Sequence, residues 1–413
     1  MAMPKLRFKE FNGDWSKSKI GEIFDVTSGA TPLRSDARFF ENATIPWVKT
    51  TDLNNSLIIL TEEKISEIAL KETSVKILPK DTVFVAMYGG FNQIGRTGLL
   101  LNESACNQAL SAIYPNEKIN SFFLLTYLNH KVEDWKSFAA SSRKDPNITK
   151  SDVLAFPLIY PSKEEQTKIA SFLSAVDKKI SQLTQKHELL SQYKQGMMQK
   201  LFSQQIRFKA DDGSEFGTWE NISFLSLMNE LWDYRGRTPK KLGMDWGNGE
   251  IQSLSALNIK KGFIDFEADC HLGSEELYKV WMNKGDLVKD DIIFTMEAPL
   301  GNVALIPDNR KYILSQRVVC FKTNQKLVFN PFLFQLILSD QFQNRIDELA
   351  TGTTAKGINQ KSMQKIEVQL PSLEEQTKIA NFLSAIDQKI EVVAQQIEQA
   401  KTWKKGLLQQ MFV

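Results

Sequence analysis

The pattern of apolar and polar positions changes character along the chain. Residues 16–160 carry short apolar runs broken by turn formers: Ile45 to Val48, Leu57 to Leu60, Val75 to Leu78 and Thr82 to Ala86. Such runs predict strands. A longer apolar stretch, Phe122 to Ser137, predicts a helix. At Pro161 the period switches. Ser162 is followed three residues on by Glu165, a capping-box signature, and two acids in the first turn suit the helix dipole. Apolar residues then recur at Ile169, Leu173, Val176, Ile180, Leu183, Leu190, Met197 and Leu201, in steps of three, four or seven. That spacing predicts one long helix with a heptad seam.

The same stretch occurs twice. PSKEEQTKIASFLSAV starts at Pro161, and PSLEEQTKIANFLSAI starts 210 residues later at Pro371, with thirteen of sixteen positions identical. The second copy repeats the cap at Ser372 and Glu375 and the ladder at Ile379, Leu383, Ile386, Ile390, Val393, Ile397, Ala400, Leu407 and Met411. A period this long exceeds any solenoid unit, so the chain reads as one module written twice. Two matching seams in one chain can satisfy each other as an intramolecular coiled coil. The antiparallel pairing is expected, because it places the intervening modules at opposite ends of a rod. A helix of about 40 residues is roughly 60 Å long.

The globular parts repeat only in outline. Arg7 to Trp15 is echoed at Arg207 to Trp219, Thr31-Pro32 at Thr238-Pro239, and Asp81 to Met87 at Asp290 to Met296. Ile94-Gly95-Arg96 is echoed at Leu300-Gly301-Asn302, and Phe332 to Leu338 supplies the later helix. A polar loop, a strand and a proline precede each long helix: SSRKDPNITKSDVLAFPLIYP in one copy and TGTTAKGINQKSMQKIEVQLP in the other. The predicted fold is α+β. Residues 1–160 and 204–370 form two globular α/β modules, residues 161–203 and 371–413 form the two long helices, and the whole is an internal pseudo-two-fold repeat. Near-identical helices beside diverged modules imply a scaffold held to one shape and two readers of different ligands.

Composition narrows the function. The chain has 413 residues, 26 Phe and a net charge of +2. That leaves no bulk polyelectrolyte character, so a nucleic-acid surface would need grouped basic residues. Cys106, Cys270 and Cys320 lie far apart, and His130, His187 and His271 are isolated. No metal site is expected, and the thiols read as reduced in a cytosolic protein. No signal peptide or apolar membrane span is visible. Enzyme motifs fail. Asp145-Pro146-Asn147-Ile148 and Asn330-Pro331-Phe332-Leu333 lack the second Pro and the aromatic of a methyltransferase tetrad, and no GxxxxGK[ST] phosphate loop occurs.

These residues resemble the specificity subunit of type I restriction–modification enzymes. The resemblance spans essentially the whole chain. It is carried by the proline-led EEQ-x-KIA-x-FL helices and by TGTTAKGINQKSM, Thr351 to Met363, although SSRKDPNITKSD in the first module lacks the Gly-Thr-Thr. It implies a non-catalytic, cytoplasmic, DNA-binding subunit with two target-recognition domains, each reading half of a split double-stranded site. The paired helices would set the gap and dock two methyltransferase subunits, with restriction/translocase subunits joining that core. S-adenosylmethionine, ATP and magnesium would be bound by those partners, and this chain would carry no cofactor. The competing reading is a protein-only coiled-coil scaffold with two partner-binding modules.

Phosphates are held by Lys and Arg, while Asn, Gln and Arg also read base edges. Candidates beside turns in the first module are Lys49, Tyr88, Asn92, Gln93, Arg96, Arg143 and Lys144. In the second they are Arg235, Arg237, Lys240, Lys241, Lys260, Lys261, Gln316, Arg317 and Lys356. Trp47, Trp232, Trp246 and Trp281 read as core.

Overall fold

A computed structural model describes residues 4–90, 92–139, 147–315, 317–352 and 355–412. Arg143, Lys144 and Gln316 lie outside the described residues. The chain divides into two compact units, residues 1–184 with 395–413, and residues 185–394.

The periodic stretches form the long helices expected, Lys163–Phe202 and Leu373–Met411. Each unit contains part of both, and in each unit the two run antiparallel. In the first unit Ile169, Leu173 and Val176 share a core with Leu407, Met411 and Phe412. In the second, Ile379, Leu383 and Ile386 share one with Met198, Leu201 and Phe202. Lys404 pairs with Asp177 at 2.5 Å in one unit, and Lys194 with Asp387 at 2.6 Å in the other. These are the same two positions with the helices' roles exchanged. Leu183, Val393 and Ile397 are also buried. Ile180, Leu190, Ile390 and Met197 are half-buried, so Met198 supplies the deeper methionine contact.

The copied EEQ motif fastens each helix to its module. Glu165 accepts from Nε and Nη2 of Arg7, both at 2.7 Å, and Glu375 accepts from Arg207 at 3.0 and 2.7 Å. Only half of each predicted capping box forms. The amides of Glu165 and Glu375 donate to Ser162 and Ser372 Oγ, while the carboxylates go to the distant arginines. Gln166 accepts from the Asn120 amide at 2.9 Å and donates to Pro161 and Lys118 carbonyls; Gln376 does the same with Phe329, Pro371 and Leu327. Both glutamines are fully buried, where an unpaired amide would be costly.

Each module follows one strand path. The first has a sheet ordered Val26–Ser28, Leu110–Ile113, Val83–Ala86, Thr97–Leu100 and Ser56–Ile58. The second has Met228–Asp233, Val318–Thr323, Ile292–Thr295 and Val303–Leu305 in the matching order, without the fifth strand. A three-stranded sheet accompanies each: Glu63–Ile65, Ile45–Val48 and Ala105–Cys106, then Leu272–Gly273, Ile251–Leu254 and Ile313–Leu314. Asp81 and Asp290, matched by sequence, both take a left-handed backbone, φ 68° and 67°. The strand before each long helix pairs antiparallel with the strand that opens the module, Pro157–Tyr160 with Ser16–Lys19 and Glu367–Leu370 with Glu220–Ser223.

Two local expectations are corrected. The apolar run Val75 to Leu78 is not a strand; only Leu78 bridges, to Ser104, because Pro79 cannot donate to a ladder. The helix expected over 122–137 breaks into Ser121–His130 and Asp134–Phe138. That break lets Trp135 turn inward and stack on Phe156 at 3.8 Å.

Candidate nucleic-acid interface

Three backbone hydrogen bonds gather four segments at one end of each module. In the first module Asn107 N–H donates to Val48, Met87 N–H to Ala109, and Ile148 N–H to Met87, at 2.9, 2.8 and 3.0 Å. In the second, Ser315 donates to Leu254, Met296 to Arg317, and Ile358 to Met296, at 2.9, 2.9 and 3.0 Å. The frame is therefore shared, and the residues just beyond it differ.

In the first module the frame delivers Lys49 and Tyr88 to the same end. Lys49 is not a spare cation: it pairs with Glu62 at 3.0 Å and Glu63 at 2.7 Å. Glu63 also takes Arg34 at 2.5 Å, and these two cations hold its carboxyl down to about 2. Tyr88 and Asn92 are exposed, and Gln93 and Arg96 are half-buried in the connection between Val83–Ala86 and Thr97–Leu100. That connection turns through Gly95 at φ 76°, where a Cβ would meet the Trp135 ring at 2.4 Å. Both its backbone angle and this close packing therefore require the glycine.

In the second module the frame brings most of the predicted cations together. Arg235 is held by Asp233 at 2.6 Å, so its charge is largely matched inside the module. Arg237 donates to the Trp281 carbonyl at 2.5 Å and lies over the Tyr234 ring at 5.1 Å. Lys241 donates to the Gly236 carbonyl at 2.7 Å. Arg317 stands 3.5 Å from Glu297 on a left-handed backbone, φ 68°, and Lys356 pairs with Asp347 at 3.2 Å. Lys240 is exposed, and among the described residues no ion pair engages it. Two hollows open between these groups. One is bounded by Arg237, Lys240, Trp246, His271 and Ser315; the other by Ser253, Lys260, His271, Pro299, Ser315 and Arg317. Lys261 is separated from Lys260 and faces a groove against the long helices.

Sequence reasoning missed the central aromatic group. Trp47, Trp232 and Trp281 are buried as expected, but Trp246 is only half-buried and stacks on exposed His271, centroids 5.0 Å apart and planes 13° apart. Twenty-five positions separate the two rings, and no spacing rule would have joined them. Of the thiols, Cys106 and Cys320 are buried and Cys270 half-buried. Among the described residues no His, Cys, Asp and Glu group could hold a metal ion, and no helix is long and apolar enough to cross a membrane.

Comparison with known proteins places this architecture. The type I restriction modification DNA specificity domain matches over residues 12–192 and again over 219–402. The MjaX specificity subunit of Methanocaldococcus jannaschii, a putative type I restriction enzyme component, is 29% identical across 98% of this chain and 94% of its own. The MjaVIII specificity subunit from the same organism is 26% identical across 97% and 94%. The S subunit of a type I restriction-modification system from M. genitalium has the same fold, with TM-score 0.62, 16% identity and coverage of 100% and 99%. A duplicated domain, two near-identical helices and a shared frame bearing unlike side chains agree with that match: the chain belongs to the type I restriction–modification specificity subunits, the non-catalytic DNA-recognition components of those systems.

Proposed function

We propose that the two modules read unlike halves of one split, asymmetric sequence in double-stranded DNA. The observation that carries this reading is the repeated frame: the backbone bonds are the same, while the groups beyond them are Lys49 and Tyr88 in one module and Ser255, Glu297 and Arg317 in the other. A fixed frame with changed side chains suits two recognition events of one geometry and different sequence. Residues 1–160 and 204–370 are the target-recognition domains; residues 161–203 and 371–413 are the spacer helices. The near-identical helices offer two equivalent docking surfaces, which suits two methyltransferase subunits, with restriction/translocase subunits joining them. Leu189, Tyr193, Val392 and Trp403 are exposed on those helices and supply apolar contact for such partners. S-adenosylmethionine, ATP and magnesium belong to the partner chains, and the assembly works in the cytoplasm.

Footprinting of the chain with its methyltransferase subunits tests this. Protection of one split sequence is expected, and equal protection of all sequences would contradict it. The salt dependence separates DNA from a protein-only scaffold, because phosphate contacts release counterions. Lys240→Ala should weaken binding evenly across sequences and lower the salt slope by about 1. An unchanged slope would remove Lys240 from the phosphate surface. Charge reversal at Arg237 is less informative, because its guanidinium also ties down the Trp281 carbonyl.

A further inference from the structure

We infer that His271 is a base-reading side chain of the second module, donating from its ring to a purine edge in the major groove. The inference rests on the DNA-reading role proposed above and assigns it to a residue. His271 is exposed, yet its ring is not free to wander. It stacks on Trp246, which packs on buried Trp281 at 5.5 Å, whose indole donates to the Leu314 carbonyl at 2.9 Å. A planar donor already fixed in place loses little entropy on contact.

The surroundings divide the labour. Arg237 and Lys240 border the hollow on one side of His271, and Lys260 and Arg317 the hollow on the other. Lys240, with no ion pair among the described residues, and Lys260 and Arg317, loosely held at 3.8 Å from Asp265 and 3.5 Å from Glu297, can hold phosphates, which positions DNA without reading it; a rigid ring between them is set to meet a base edge. Ser253, buried beside the second hollow, has an Oγ with no hydrogen-bond partner.

The ladder register gives independent support. The strand Ile251–Leu254 pairs parallel with Ile313–Leu314 as Ile45–Val48 pairs with Ala105–Cys106, which aligns Ser253 with Trp47. Glu63 lies opposite Trp47, and the Ser253 N–H donates to the His271 carbonyl at 2.9 Å. So one position carries Glu63 in the first module and His271 in the second. The carboxylate is tied to Lys49 and Arg34 while the ring stands exposed, so equivalent sites present different groups in the two modules.

The test is to map modified positions in DNA treated with the assembled methyltransferase complex, for wild type and for His271→Ala. Wild type should give a split sequence. The variant should keep the gap and the first half, and relax one position of the second half by on the order of tenfold or more. Its melting curve and salt slope should match wild type. A variant with the wild-type sequence preference overturns the assignment alone. A variant that melts normally but modifies nothing also overturns it, marking a contact that binds without discriminating. A wild-type complex without any split sequence overturns the assignment together with the DNA-reading role.

Discussion

Glu375→Ala should destabilise the second unit by about 3 kcal/mol, the scale for removing one member of a buried ion pair. Glu375 is fully buried and accepts from Arg207 Nε and Nη2 and from the Trp219 indole at 3.0 Å. Alanine would strand both donors and detach the helix start from the segment opening the module. For a unit of this size, the loss corresponds to a fall in melting temperature of roughly 6–12 °C. Calorimetry of the full chain should show that shift in one transition and leave the first unit's transition in place. Glu165→Ala should do the converse with a smaller effect. Arg7 is equally committed to Glu165, but the Trp15 indole makes no such bond. Identical scans for wild type and Glu375→Ala would mean that the clasp does not hold the module to its helix.

Adding one heptad after Leu183 and another after Val393 should change the gap or stop modification, and should leave both half-sequences alone. These two positions match in the copied helices and lie next to the boundaries between the units. Seven residues keep the seam in register and add about 10 Å of helix, the length of roughly three base pairs. The modified sequence should keep both halves and gain about three unread pairs, or modification should cease where the added rotation of the duplex cannot be met. A gap of the original length, mapped on genomic DNA, would show that the helices do not set it. Insertion in one helix alone should be worse, because it shifts one seam past the other.

The elements legible in the sequence were those specified by nearby residues. The repeat, the heptad ladder, the caps at Ser162 and Ser372 and the match of Asp81 with Asp290 all survive in the structure. What stayed hidden depends on distant partners. Glu165 looked like a capping acid, but its carboxylate is spent on Arg7, 158 residues away. Gln166 has no signature in the local sequence, and it fastens the loop at 118–120. The basic string Arg235 to Lys241 looked like an open cationic patch. Asp233 and two carbonyls absorb most of it, leaving Lys240 outward. Lys49 is likewise matched by Glu62 and Glu63. The Trp246–His271 stack has no sequence signature, because a tryptophan defaults to core and a lone histidine to surface.

The central claim is that two unlike readers act on one duplex. Sequencing the modified bases in cells carrying this chain with its methyltransferase subunits addresses it in one step. The expected result is a single sequence in two halves that differ from each other, separated by a constant unread gap. A sequence whose halves mirror one another, or modification spread without preference, would contradict it.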